Sequence, residues 1–113
     1  MKRKLWGLVI LFLFFLTNSL IAQYIASQKG DKVEIYDIKG KYITSAYYSH
    51  LKDIAQGDEI IVLWYESNKV EVRSYDLKYI ASGYYSDLKK INTTGDNVML
   101  YCKNDKIKCR IKI

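Results

Sequence analysis

The chain has 113 residues, 18 Lys and Arg against 12 Asp and Glu, a formal net charge of +6, and no proline. Its charges are interspersed (Lys29, Asp31, Lys32, Glu34, then Asp37, Lys39, Lys41), which describes a solvated surface and not the concentrated basic face that nucleic-acid binding needs. Two cysteines and one histidine offer no metal-ligand spacing, and neither a glycine-rich phosphate loop nor a nucleophile elbow is present, so no cofactor, no metal and no enzymatic activity are expected.

The chain opens with Lys2, Arg3 and Lys4, an unbroken apolar run from Leu5 to Leu16, then Thr17, Asn18 and Ser19 before Ala22. This charged, apolar and small-residue layout predicts a signal peptide over residues 1–22 and an exported protein, in the periplasm, on the cell surface or secreted. Leu20 at the −3 position departs from the small residue preferred there. An uncleaved anchor, which would add a membrane association, stays open. Cleavage leaves residues 23–113, with 15 basic and 12 acidic side chains and a net charge of +3.

Residues 32–54 recur as residues 69–91 at an offset of 37, with 13 of 23 positions identical. Self-similarity at such a period predicts one supersecondary unit stacked on copies of itself, because a single unit cannot bury its apolar face alone. Within the unit, residues 58–65 (DEIIVLWY) read as an apolar strand, and residues 66–69 as a turn. Residues 70–75 (VEVRSY) alternate as a half-buried strand, residues 78–86 (KYIASGYYS) give a third, and Leu88 to Ile91 a short fourth. Tyr24–Lys29 is expected to occupy the slot of Ile61 to Glu66, and residues 97–103 to fill it again. The first copy turns at Lys39-Gly40. The second has no glycine there, which predicts a longer strand and a shorter turn. The sequence thus predicts an all-β fold: an antiparallel meander of four-stranded units with a period of about 37, preceded by an N-terminal signal helix. The units fall roughly at 23–49, 50–86 and 87–113.

The stretch LKDIAQGDEIIVLWYESNKVEVRSYDLKYIAS resembles one β-propeller blade of the NHL or YVTN type. Ile54-Ala55, Gly57-Asp58, Ile60 to Leu63, Val70-Glu71-Val72 and Asp76 stand where those blades place an Ile-Ala strand, a Gly-Asp turn, an apolar strand and a V-x-V-x-x-Asp strand. The WG-type repeat is a rival of similar period. The resemblance implies propeller-like units, yet a closed propeller has 4–8 blades and this chain supplies about two and a half. Four readings follow: an open stack, a ring built with copies of itself, docking on another sheet, or a remnant of a longer gene. Free sheet edges favour a protein partner or self-association.

Tyr47-Tyr48 and Tyr84-Tyr85 are the leading ligand-binding candidates. Adjacent strand residues point to opposite faces, so one tyrosine of each pair should pack and the other should be free to stack on a glycan or a peptide. Trp64 is a further stacking candidate or a core residue. Cys102 and Cys109 flank a hairpin turn, with Cys102 expected opposite Ile107 and Cys109 opposite Leu100. A disulfide and two small apolar residues both remain open. His50 is matched by Asp87 in the next copy, and both belong on exposed turns. Ser49 and Ser86 recur as turn residues. The expected function is non-enzymatic: an exported scaffold or partner-docking protein of the cell envelope, or a small carbohydrate-binding protein that oligomerises to complete a ring.

Overall fold

A computed structural model describes residues 24–103 and the backbone of 106–109. The signal peptide expected over residues 1–22 lies outside the described residues. Among the described residues ten strands follow one another: β1 Tyr24–Lys29, β2 Lys32–Asp37, β3 Tyr42–Tyr47, β4 Leu51–Gln56, β5 Ile60–Tyr65, β6 Lys69–Ser74, β7 Tyr79–Tyr84, β8 Leu88–Thr94, β9 Asn97–Cys102 and β10 Lys106–Cys109. They form three antiparallel sheets, β1-β2-β3, β4-β5-β6-β7 and β8-β9-β10, called here sheets A, B and C. Every pairing joins strands adjacent in sequence, so the fold is an all-β meander in propeller-like units. The four-stranded sheet B is the unit that the blade resemblance implies.

The core lies between sheets. Ile61 and Leu63 of β5 pack with Val33 and Ile35 of sheet A, Leu51 and Tyr75. Ile60, Val62 and Trp64, the alternate residues of the same strand, pack with Leu88, Ile91, Val98, Leu100 and Cys102 of sheet C. A strand covered on both faces has no polar side to keep, which is why β5 reads IIVLWY without alternation. Each such side chain contributes about 1.5–3 kcal/mol through burial.

Two sequence expectations need correction. Strands β2 and β6 have equal length, and the turns after them match residue for residue. Asp37 N–H donates to Lys41 O at 2.9 Å and Gly40 N–H to Asp37 O at 3.0 Å, as Ser74 N–H donates to Lys78 O at 3.0 Å and Leu77 N–H to Ser74 O at 2.9 Å. Leu77 adopts φ 65° where Gly40 has φ 85°. A leucine there pays a left-handed penalty but packs its side chain against the core between sheets A and B, so the second copy needs no glycine.

The second correction concerns β1. It occupies the slot of Ile60 to Tyr65, not Ile61 to Glu66. Ile25 pairs with Tyr36 and Ser27 with Glu34, as Ile61 pairs with Arg73 and Leu63 with Glu71. The loop Gly30-Asp31 has two residues and the loop Glu66-Ser67-Asn68 has three. The extra residue is absorbed by Asn68 at φ 65°. A one-residue slip would send every β1 side chain to the wrong face.

Candidate functional site

The turns at one end of the stack stitch the sheets together. The Gln56 side chain accepts from Ala26 N–H at 3.0 Å and donates from Nε2 to Tyr24 O at 2.6 Å. An amide thereby stands in for a strand along the edge of β1. On the other side Thr93 Oγ1 donates to Gln56 O at 2.5 Å, Asp58 N–H to Gly95 O at 3.2 Å and Glu59 N–H to Asp96 Oδ1 at 2.7 Å. Between sheets A and B this end opens into a cleft of about 520 Å³, lined by Tyr24, Ile43, Thr44, Glu59, Tyr75 and Asp76. The rings of Tyr24 and Tyr75 stack at 5.1 Å, and Tyr75 Oη donates to Gly57 O at 2.5 Å. Burial pushes the Tyr75 hydroxyl up to about 12. Neither tyrosine stood out in the sequence, because their pairing joins positions 51 residues apart that the repeat does not relate.

The tyrosine pairs divide as their alternation demands. Tyr47 is 75% exposed and Tyr84 72%, whereas Tyr48 packs on the core between A and B and Tyr85 on the core between B and C. Tyr42 and Tyr79 are also exposed, and each Oη shares a hydrogen bond with a serine on its own strand, Ser45 at 2.8 Å and Ser82 at 2.9 Å. Strands β3 and β7 therefore carry the same exposed Tyr–Ile–x–Ser–x–Tyr array 37 residues apart. Sequence reasoning found its Tyr47 and Tyr84 and missed Tyr42 and Tyr79, whose identity between the copies was the available signal.

Trp64 is no stacking platform. It is 4% exposed, its Nε1–H donates to Asn68 Oδ1 at 3.2 Å, and the Lys52 ammonium lies 4.2 Å from its ring centroid. His50 and Asp87 sit at φ 61° and φ 63° on equivalent turns, and His50 Nδ1 lies 3.7 Å from Glu66 Oε2 with both groups exposed.

Cys102 is buried and pairs with Lys106, not Ile107, while Cys109 pairs with Leu100 past an irregularity at the intervening residue. Three residues separate β9 from β10, as three separate β5 from β6, and this spacing is what shifts Cys102. The side chain of Cys109, and with it the question of a Cys102–Cys109 disulfide, lies outside the described residues.

Buried charge concentrates on β6. Glu71 is held by Arg73 Nε at 2.5 Å, Lys69 Nζ at 3.4 Å and Tyr65 Oη at 3.3 Å. Burial, with Glu71 beside it, raises the Tyr65 hydroxyl well above its ordinary range. The Arg73 guanidinium lies 5.2 Å from the Tyr48 ring centroid and 6.0 Å from that of Tyr79. In sheet A, Glu34 repeats this position with Lys29 at 2.9 Å and Lys32 at 3.7 Å. Hydrogen bonding from Lys29 holds the Glu34 carboxyl below its usual value.

Among the described residues, sheets A and C each have one face with no sheet packed on it. On sheet A it carries Ile25, Ser27, Glu34, Tyr36 and Ser45, which pair with one another and alternate along their strands with the packed Ala26, Val33 and Ile35. On sheet C it carries Met99 and Tyr101, both half-buried, with the Lys90 ammonium 5.6 Å from the Tyr101 ring centroid.

No protein-family model and no curated protein matches the chain. Among solved structures the chain is similar to Ph1500, described as a homohexameric protein centred on a 12-bladed β-propeller, at 16% identity and a TM-score of 0.49 over 81% of this chain and 73% of that one.

Proposed function

We propose that this chain is an exported, non-enzymatic interaction protein of the cell envelope that docks through the open faces of its sheet stack. One observation carries the reading. Ile25 is 46% exposed where its counterpart Ile61 is fully buried, and Met99 and Tyr101 are half-buried where Val62 and Trp64 are buried beneath a neighbouring sheet. Positions that are core in the middle unit are surface in the outer ones, and apolar surface of this kind marks contact sites. The four-stranded meander of sheet B supports units of the NHL or YVTN blade type within the same reading. The test is cell fractionation with mass spectrometry of the native protein. The expected product begins at Gln23, lies outside the cytoplasm and travels with a partner or with itself. A full-length chain that runs as a cytoplasmic monomer overturns the reading.

A glycan-binding reading rests on a different observation, the identical exposed arrays on β3 and β7. Tyrosine rings give flat, rigid contact area at low entropic cost, and two equal arrays suit a repeating ligand. Quenching of tyrosine fluorescence by an oligosaccharide, lost in a Tyr47→Ala, Tyr84→Ala double variant, is the expected result. An array of glycans with no hit removes this reading.

A further inference from the structure

We infer that the open face of sheet C in one copy of the chain seats on the open face of sheet A in a second copy, so that the protein associates head to tail. The inference rests on the docking reading above and names its partner. These faces continue an interface the molecule already contains. In the middle sheet, Ile61 and Leu63 face sheet A, and Val62 and Trp64 face sheet C. The first pair corresponds by register to Ile25 and Ser27 on the open face of sheet A. The second corresponds to Met99 and Tyr101 on the open face of sheet C. The two faces left open among the described residues are thus the two kinds of face that meet at each internal junction, and a second copy supplies the missing half of both. Glu34 with Lys32 repeats Glu71 with Lys69 at the receiving face, so the charge that a neighbouring sheet tolerates inside is present outside as well.

The contact between copies is more polar than the internal ones, because Ser27 replaces Leu63 and Lys29 replaces Tyr65. Reversible association follows, not an obligate assembly. A head-to-tail contact joins two different surfaces, so it generates rings or filaments and not a two-fold dimer.

The test uses Ile25→Glu, which spoils the receiving face, and Met99→Glu, which spoils the donating face; both sites lie outside the two cores. Native mass is measured for the full chain and for the chain lacking residues 1–22. The wild type is expected at multiples of the protomer mass, each variant at the protomer mass, and an equimolar mixture of the two variants at twice that mass. The mixture restores one good junction and no more. An Ile25→Glu variant that still dimerises assigns a two-fold contact through sheet C and overturns the proposal. So does a wild type that is monomeric with and without residues 1–22. If that monomer still purifies with an envelope protein, the docking reading survives; if it has no partner, both fall.

Discussion

Replacing Gly57 by alanine tests whether sheets B and C are locked at their shared turn. A Cβ built at Gly57 lies 2.5 Å from Gly95 O, 3.0 Å from a side-chain carbon of Ile60 and 3.3 Å from Asp96 Oδ1, where ordinary contact begins at 3.4 Å. Gly57 does not occupy the left-handed region, so space alone forbids the methyl group. The nearest obstacle is a backbone carbonyl, which cannot swing aside like a side-chain tip. That carbonyl accepts Asp58 N–H, and Glu59 N–H reaches Asp96 Oδ1 one residue away. Opening the turn far enough strains both bonds. With overpacking at about 1–3 kcal/mol and each of the two weakened hydrogen bonds at about 0.5–1.5 kcal/mol, Gly57→Ala should cost about 2–6 kcal/mol. A domain of this size has only about 5–14 kcal/mol in total. Urea unfolding of the chain lacking residues 1–22 measures the loss, and hydrogen exchange should place it in β8 and β9 before β2 and β3. A loss below about 0.5 kcal/mol would refute the claim that the turns are in rigid contact.

Gln56→Ala removes the amide that covers the edge of β1; it should cost about 1 kcal/mol and increase light scattering with concentration as the edge becomes free to pair. Tyr75 holds its proton up to about pH 12 when folded and to about 10 when unfolded. Its share of stability is therefore full below pH 10 and lost as pH rises from 10 to 12, so Tyr75→Phe should flatten the fall of stability across that window in alkaline melts. Gly40→Ala meets no atom within 4 Å and carries only the left-handed penalty of about 1–2 kcal/mol; a melting temperature lowered by about 4–8 °C per kcal/mol is expected, and an unchanged one would contradict the assigned φ.

The apolar run of β5 and the 37-residue period announced the fold, because a strand buried on both faces and a repeated unit both leave patterns local in sequence. The facing of β1 was harder to read. It depends on whether the hairpin that follows it has two or three loop residues, and composition cannot distinguish Gly30-Asp31 from Glu66-Ser67-Asn68 until the ladder is seen. Leu77 escaped notice for a related reason. A left-handed residue is legible when it is glycine and illegible when tertiary packing compensates a leucine. Among the candidate site residues, Tyr47 and Tyr84 followed from simple alternation, whereas Trp64 could not be placed without knowing that sheet C covers it. The Tyr24–Tyr75 cleft depends on how two units sit against each other, which no spacing within one unit encodes.

The strictly sequential order of strand pairing has a consequence for how the chain acquires its structure. Contacts between neighbours in sequence close short loops, and folds dominated by them pay little entropy before each gain. The meander should zip without waiting for distant segments. Its delay lies elsewhere: Val33 and Ile35 have nothing to pack on until β5 has been made, so sheet A stays a marginal intermediate during synthesis. Once sheet B exists it serves as a template on both flanks, and growth proceeds outward in two directions. In such quasi-linear arrays, stability depends on junctions more than on units. Deleting an outer sheet should leave a smaller cooperative protein, whereas deleting the middle one should leave none.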